Sequence, residues 1–135
     1  MSDRQTLKPG VILDNEYEIR GVLGQGGFGV TYDAHDIRLE TRRAIKEFFP
    51  HDMSRREGDR KIAAYSGIHN DQFEWGRARF VNEGKLIARF SHPSIVKVIR
   101  IFDENNTAYM VLDFVEGETL EKWAARNPYP SIETV

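Results

Sequence analysis

Three separated groups of residues in this chain could do chemistry together. They are the glycine-rich segment Leu23-Gly24-Gln25-Gly26-Gly27-Phe28-Gly29, Lys46, and Glu83. Glycines let backbone N–H groups approach phosphate oxygens with no Cβ in the way, and a turn built from them makes a concavity suited to anions. An ammonium neutralises phosphate charge, and a carboxylate beside it fixes where that ammonium points. Combined, the three groups describe a clamp for the phosphates of a nucleotide.

Each group also has a plainer reading. The spacing Gly24-x-Gly26-x-x-Gly29 occurs in several phosphate-binding folds. In a dinucleotide fold the last glycine opens a helix, but here it is followed by Val30-Thr31-Tyr32, whose β-branched and aromatic residues favour a strand. A Walker loop needs Lys-Ser/Thr after its last glycine, and Gly29 is followed by Val30. What remains is a hairpin lid with Phe28 at its tip, or a glycine hairpin with no ligand. Ala44 and Lys46 share one side of a strand, leaving room for a flat base over Ala44 and phosphate at Lys46; the alternative is a solvated lysine on an edge strand. Glu83 lies three residues after Phe80 and four before Ile87, on the apolar face of a helix. A carboxylate there needs a partner, either Arg79 one turn earlier or Lys46.

The elements that must position these groups follow from periodicity. Tyr17, Ile19 and Leu23 alternate as a first strand, and Val30, Tyr32 and Ala34 as a second, so the glycines join a hairpin. Arg42 to Phe49 forms a third strand that ends at Pro50. Residues 51–70 are polar and irregular, and predict a long inserted loop or a short helix with a solvated basic cluster. Asn70 or Asp71 would cap a helix from about Phe73 to Phe90, buried through Phe73, Phe80, Leu86 and Ile87, weakened by Gly76 and Gly84, and stopped by His92-Pro93. Strands Ile95–Phe102 and Ala108–Phe114 follow, joined by a turn at Asp103-Glu104-Asn105-Asn106. The fold class is α+β: a five-stranded antiparallel sheet, one main helix and a short C-terminal helical segment at Leu120–Ala125.

Length and composition bound the rest. With 135 residues the chain holds one modest domain. A net charge of −2 gives no electrostatic reason to expect nucleic acid or an anionic membrane surface. No cysteine is present, which excludes disulfides, thiolate catalysis and cysteine-bound zinc. No apolar run reaches the roughly 20 residues that span a bilayer, and the N-terminus lacks the apolar core of a signal peptide. A cytoplasmic location is expected.

On these residues the chain resembles the bacterial serine/threonine protein kinases related to eukaryotic ones, and specifically their N-terminal lobe. Tyr17 to Gly29 resembles the first strand and glycine loop, and Ala44-Ile45-Lys46 is similar to the Val-Ala-Ile-Lys signature. Phe80-Val81-Asn82-Glu83 with His92-Pro93 resembles the regulatory helix and its exit; Tyr109 to Gly117 resembles the fifth strand and hinge. The resemblance implies that Gly24, Gln25, Gly26, Gly27, Phe28 and Gly29 cover the phosphates of ATP, that Lys46 holds them, and that Glu83 orients Lys46. It further implies that Leu23, Thr31 and Ala44 pack on the base or sugar, that Leu112 guards the back of the pocket, that the backbones of Asp113 and Val115 bond adenine, and that Glu118 reaches the ribose.

The resemblance divides the chain into a lead-in (1–16), a kinase N-lobe (17–118, with 51–70 inserted) and a hinge-following helix with a truncated start of the C-lobe (119–135). Thr31 stands where valine is more usual, and the spacing from Lys46 to Glu83 exceeds the compact pattern. No His-Arg-Asp and no Asp-Phe-Gly occurs; Asp113-Phe114 continues with Val115. The groups that position the hydroxyl and hold Mg2+ are therefore missing. The expectation is an ATP-binding lobe, inactive alone, of a kinase whose protein substrate binds the absent lobe. Rival expectations are a kinase-like interaction module that self-associates through uncovered apolar surface, and a nucleotide sensor without catalysis.

Overall fold

The computed structural model describes residues 6–89 and 97–113. One antiparallel sheet forms its centre. Its strands are β1 (Ile12–Leu13), β2 (Tyr17–Gly26), β3 (Gly29–Asp36), β4 (Thr41–Phe48), β7 (Val98–Glu104) and β8 (Thr107–Leu112), in the spatial order β1-β2-β3-β4-β8-β7. A separate hairpin pairs β5 (Ser54–Glu57) with β6 (Lys61–Ala64), and one long helix, α1, spans Gly67–Ala88. Among the described residues no helix is long and apolar enough to cross a membrane.

The α+β lobe expected from sequence is present, with six strands in its sheet rather than five. The extra strand is the two-residue β1, whose Ile12 and Leu13 pair with Glu18 and Tyr17. Such a strand is too short to show alternation. The segment before β2 does more than lead in: Leu7, Val11 and Leu13 are all buried in the core, and the Leu7 N–H donates to the Tyr32 hydroxyl at 3.0 Å.

A second correction concerns residues 51–70. They form the β5–β6 hairpin and the first turn of α1 instead of a loop. Ser54 and Arg56 point inward while Arg55 and Glu57 are exposed, so the alternation is present but its inner face is polar, which hides it from a hydrophobicity pattern. Gly58, with φ +66°, makes the turn. The helix starts at Gly67, earlier than Asn70-Asp71 suggested, because Ser66 is its N-cap and accepts from the His69 N–H at 3.4 Å. Strand β7 starts at Val98, and Asn105-Asn106, both at positive φ, form the tight turn into β8. Phe90, His92-Pro93 and the helical segment at 120–125 lie outside the described residues.

Strand β4 is central and buried on both sides. Ala44, Lys46 and Phe48 share one face with Thr31, Met110 and Leu112; Ile45 and Glu47 share the other with Tyr32, Tyr109 and Val111. Helix α1 covers the first face. Its Phe73 and Phe80 rings lie 5.2 and 5.6 Å from the Phe48 ring, contacts of the tilted aromatic type. Gly76 and Gly84, costly inside a helix on propensity alone, are explained by closeness: a Cβ on Gly76 would lie 2.7 Å from Phe48 Cζ, and one on Gly84 would lie 2.7 Å from Ile101 Cδ1 and 2.8 Å from Met110 Cε. The opposite face is closed by Leu7, Val11, Leu13, Phe49 and Ile62.

Gly29 shows the tightest approach. A Cβ there would sit 2.1 Å from the Glu47 carbonyl oxygen, a backbone atom that no side-chain rotation can move. Replacing Gly29 with alanine is therefore expected to destabilise the fold by about 1–3 kcal/mol, whereas Gly27→Ala, whose Cβ meets nothing within 4 Å, should leave stability unchanged. Urea denaturation of the two variants checks the contrast.

Candidate functional site

The pairing of Gly26 with Gly29 leaves Gly27-Phe28 as the tip of the β2–β3 hairpin. That tip is anchored from below: the Phe49 N–H donates to the Phe28 carbonyl at 2.9 Å and the His51 N–H to the Gly27 carbonyl at 3.2 Å. Gly24 and Gly27 have open space where a Cβ would stand, and neither has positive φ. Internal packing does not require glycine at these two positions, so the space over their backbone is free for a ligand. The Phe28 side chain is exposed and borders a groove with Phe48, Pro50, Met53 and Trp75.

Lys46 lies directly beneath this turn. It pairs across the sheet with Thr31, which is also buried, and with Met110. A hollow under the hairpin is lined by Phe28, Gly29, Thr31, Lys46 and Phe80. Only 3% of Lys46 is exposed. Burial pushes its ammonium down to about 6, and the Glu83 carboxylate acts in the opposite direction. Glu83 is buried on the inner face of α1, next to Gly84, whose missing side chain lets the helix backbone settle on Ile101 and Met110. Arg79, the other partner considered for Glu83, lays its guanidinium over the Trp75 ring at 4.7 Å.

Apolar residues line the same face of the sheet farther from the turn. Ala44, Met110 and Leu112 form a buried cluster with Val98, and Leu23 packs against it. Ala44 and Met110 are wholly buried in it. The Asp113 N–H donates to the Lys97 carbonyl at 3.0 Å. The Asp113 carboxylate meets Arg43 at 3.0 Å. Val115 and Glu118 lie outside the described residues. Among the described residues no three His, Asp or Glu side chains cluster as metal ligands.

Sequence reasoning missed the charge on the other side of β4. Glu47 is 1% exposed. Arg56 reaches it with a two-pronged contact, Nη2 to Oε1 at 2.6 Å and Nη1 to Oε2 at 3.2 Å. The Tyr32 hydroxyl donates to Oε1 and the Tyr109 hydroxyl to Oε2, each at 2.7 Å. Burial and the neighbouring carboxylate raise both tyrosine hydroxyls, which keeps them protonated as donors. Burial opposes the Arg56 charge, but Glu47 outweighs it and the guanidinium is raised. The signal was available: Glu47 shares its strand face with Ile45 and Phe49 as Glu83 shares a helix face with its apolar neighbours, and the same need for a partner applies.

Fold and site define a small α+β lobe in which a glycine hairpin covers a buried lysine and a helix brings a carboxylate toward it. The chain belongs to the protein kinase family: the model of the protein kinase domain matches residues 17–134. The probable serine/threonine-protein kinase YbdM of Bacillus subtilis (strain 168) is 33% identical over 116 residues, covering 86% of this chain and 38% of that protein. Serine/threonine-protein kinase PrkC of the same organism is 28% identical over 115 residues, 85% of this chain and 15% of that protein. Among solved structures, the apo form of PpkA-294 superposes with a TM-score of 0.80 at 39% identity, over 92% of this chain and 44% of that one. The chain thus spans less than half the length of these relatives.

Lys46 also sets a pH dependence. Folded, it loses its proton near pH 6; unfolded, it keeps the proton up to its ordinary value of 10.5. Between those limits the unfolded chain holds more protons, so this group's contribution to stability rises with pH. Urea unfolding at pH 6 and pH 9 should show wild type gaining on Lys46→Met at the higher pH.

Proposed function

We propose that this chain is the ATP-binding lobe of a serine/threonine protein kinase that phosphorylates protein hydroxyls. One observation carries the reading: a lysine buried under a glycine hairpin, with the field of a buried helical carboxylate acting on it. In this reading Gly24 to Gly29 enclose the phosphates of ATP, Lys46 holds them and Glu83 orients Lys46. Leu23, Thr31, Ala44 and Leu112 take the base and sugar, the backbones of Asp113 and Val115 bond adenine, and Glu118 reaches the ribose. The names of the relatives support the phosphotransfer.

The site residues fit the phosphates of the nucleotide through the open backbone at Gly24 and Gly27. They supply no ligand set for Mg2+ among the described residues, so the lobe is assigned binding and orientation of ATP and no metal step. The His-Arg-Asp and Asp-Phe-Gly segments that position the hydroxyl and metal do not occur in these 135 residues, and by itself the chain transfers no phosphoryl group. It works from the cytoplasm, the compartment that holds ATP.

Calorimetry tests the binding half. ATP should bind with net proton uptake at pH 7.5, seen as a dependence of the heat on buffer ionisation, because phosphate draws a proton onto a lysine otherwise near 6. Lys46→Met should abolish the uptake and weaken binding by about tenfold or more. Binding without uptake, or unchanged in the variant, overturns the role of Lys46. Incorporation of labelled γ-phosphate into a generic protein substrate by the purified chain would overturn its assignment as a non-catalysing lobe.

Self-association belongs to the same proposal. Phe28 and Trp75, 59% and 64% exposed, border one apolar groove, and a second copy covering it would remove that surface from water. Light scattering should show mass rising with concentration, and less so for Trp75→Ser.

A further inference from the structure

The inserted segment after Lys46 touches the glycine tip and the start of α1, and a buried arginine ties it down. At its start, Phe49 and His51 hold the glycine tip through the Phe28 and Gly27 carbonyls, at 2.9 and 3.2 Å. The Ser54 hydroxyl then donates to the Pro50 carbonyl at 2.6 Å, and the Tyr65 N–H donates to the Met53 carbonyl at 3.0 Å, which closes the segment on itself. At its end, Ser66 caps α1, the helix that carries Glu83. The hairpin is fixed to the sheet a third way, by the Ile62 N–H donating to the Asn105 carbonyl at 3.0 Å.

Arg56 sits where these ties meet. Its guanidinium grips Glu47 with two nitrogens, donates to the Arg60 carbonyl at 2.7 Å and lies over the Phe49 ring at 4.9 Å. The side chains of Arg56 and Glu47 are 2% and 0% exposed. Replacing a buried ion pair by apolar residues of similar size is often neutral for stability. What the pair supplies that apolar residues do not is direction: the planar fork accepts one orientation of the carboxylate. Glu47 is the residue after Lys46 and points to the opposite face, so a fixed Glu47 fixes the twist of β4 at Lys46.

We propose that Arg56 is a positioning residue for the phosphate clamp: through Glu47 it locks residues 49–66 into a brace that sets the glycine tip, Lys46 and the start of α1 relative to one another. The inference rests on the nucleotide-binding reading above.

Two variants of the 135-residue chain test it: the neutral pair Glu47→Gln/Arg56→Met, and Arg56→Lys, which keeps the charge and loses the fork. Circular dichroism and thermal melting establish that each is folded at the working temperature; Arg56→Lys carries the test if the double variant is not. Titration with a fluorescent ATP analogue should then show affinity about tenfold weaker. Hydrogen exchange should be faster at the amides of Phe49, His51 and Tyr65 and in the first turn of α1, and unchanged in β2 and β8. An ion pair with only a structural role would shift the melting temperature and leave the affinity of the folded protein alone. A folded variant with wild-type affinity, or with wild-type exchange at those amides, overturns the proposal. Should the wild-type chain itself bind no nucleotide, the functional reading falls, and exchange alone decides the brace: faster supports it, unchanged ends it.

Discussion

Two ionisable side chains of opposite kind, adjacent in sequence, are buried on opposite faces of one central strand. Lys46 and Glu47 are 3% and 1% exposed, and neither arrangement is stable without compensation from another layer of the molecule. The field on Lys46 comes from α1 through Glu83; the partners of Glu47 come from the inserted hairpin and from two tyrosines on the flanking strands. The layers of the lobe follow from this constraint. A helix must cover one face, and a polar insertion must reach around to the other.

The two sides are compensated differently, and the difference separates scaffold from site. Around Glu47 both carboxylate oxygens are satisfied: two tyrosine hydroxyls and a forked guanidinium account for them. Around Lys46 desolvation is the dominant influence and is only partly offset, which leaves the ammonium depressed to about 6. A buried cation held below its ordinary range gains from any anion brought beside it. Gly24, whose backbone is open, pairs with Thr31, the cross-strand neighbour of Lys46.

Legibility in the sequence followed the chemistry of the inward-facing side chains. The glycine hairpin, the strand of Lys46 and the buried face of α1 were readable because Val30, Tyr32, Ile45, Phe73 and Phe80 repeat with the right period. The inserted hairpin was not, since the inward residues of its first strand are Ser54 and Arg56, and an inward arginine looks in sequence like any solvated one. Strand β1 was too short to show a period. Gly76 and Gly84 read as weaknesses in a helix, whereas the structure makes them contact points where the backbone of α1 meets Phe48, Ile101 and Met110. A glycine with low helix propensity on a buried face is better taken as a sign of close packing than as an argument against the helix.

The same reasoning distinguishes the glycines of the hairpin from one another. Gly29 answers to the Glu47 carbonyl, so it belongs to the scaffold that holds β3 on β4. Gly24 and Gly27 answer to nothing within the described residues that a methyl group would strike. One glycine-rich segment therefore contains two kinds of glycine, one required by the fold and one open to a ligand. That division explains why the motif by itself identifies no family: the scaffold glycine is set by the neighbouring strand, and the open ones acquire meaning only from the lysine beneath them.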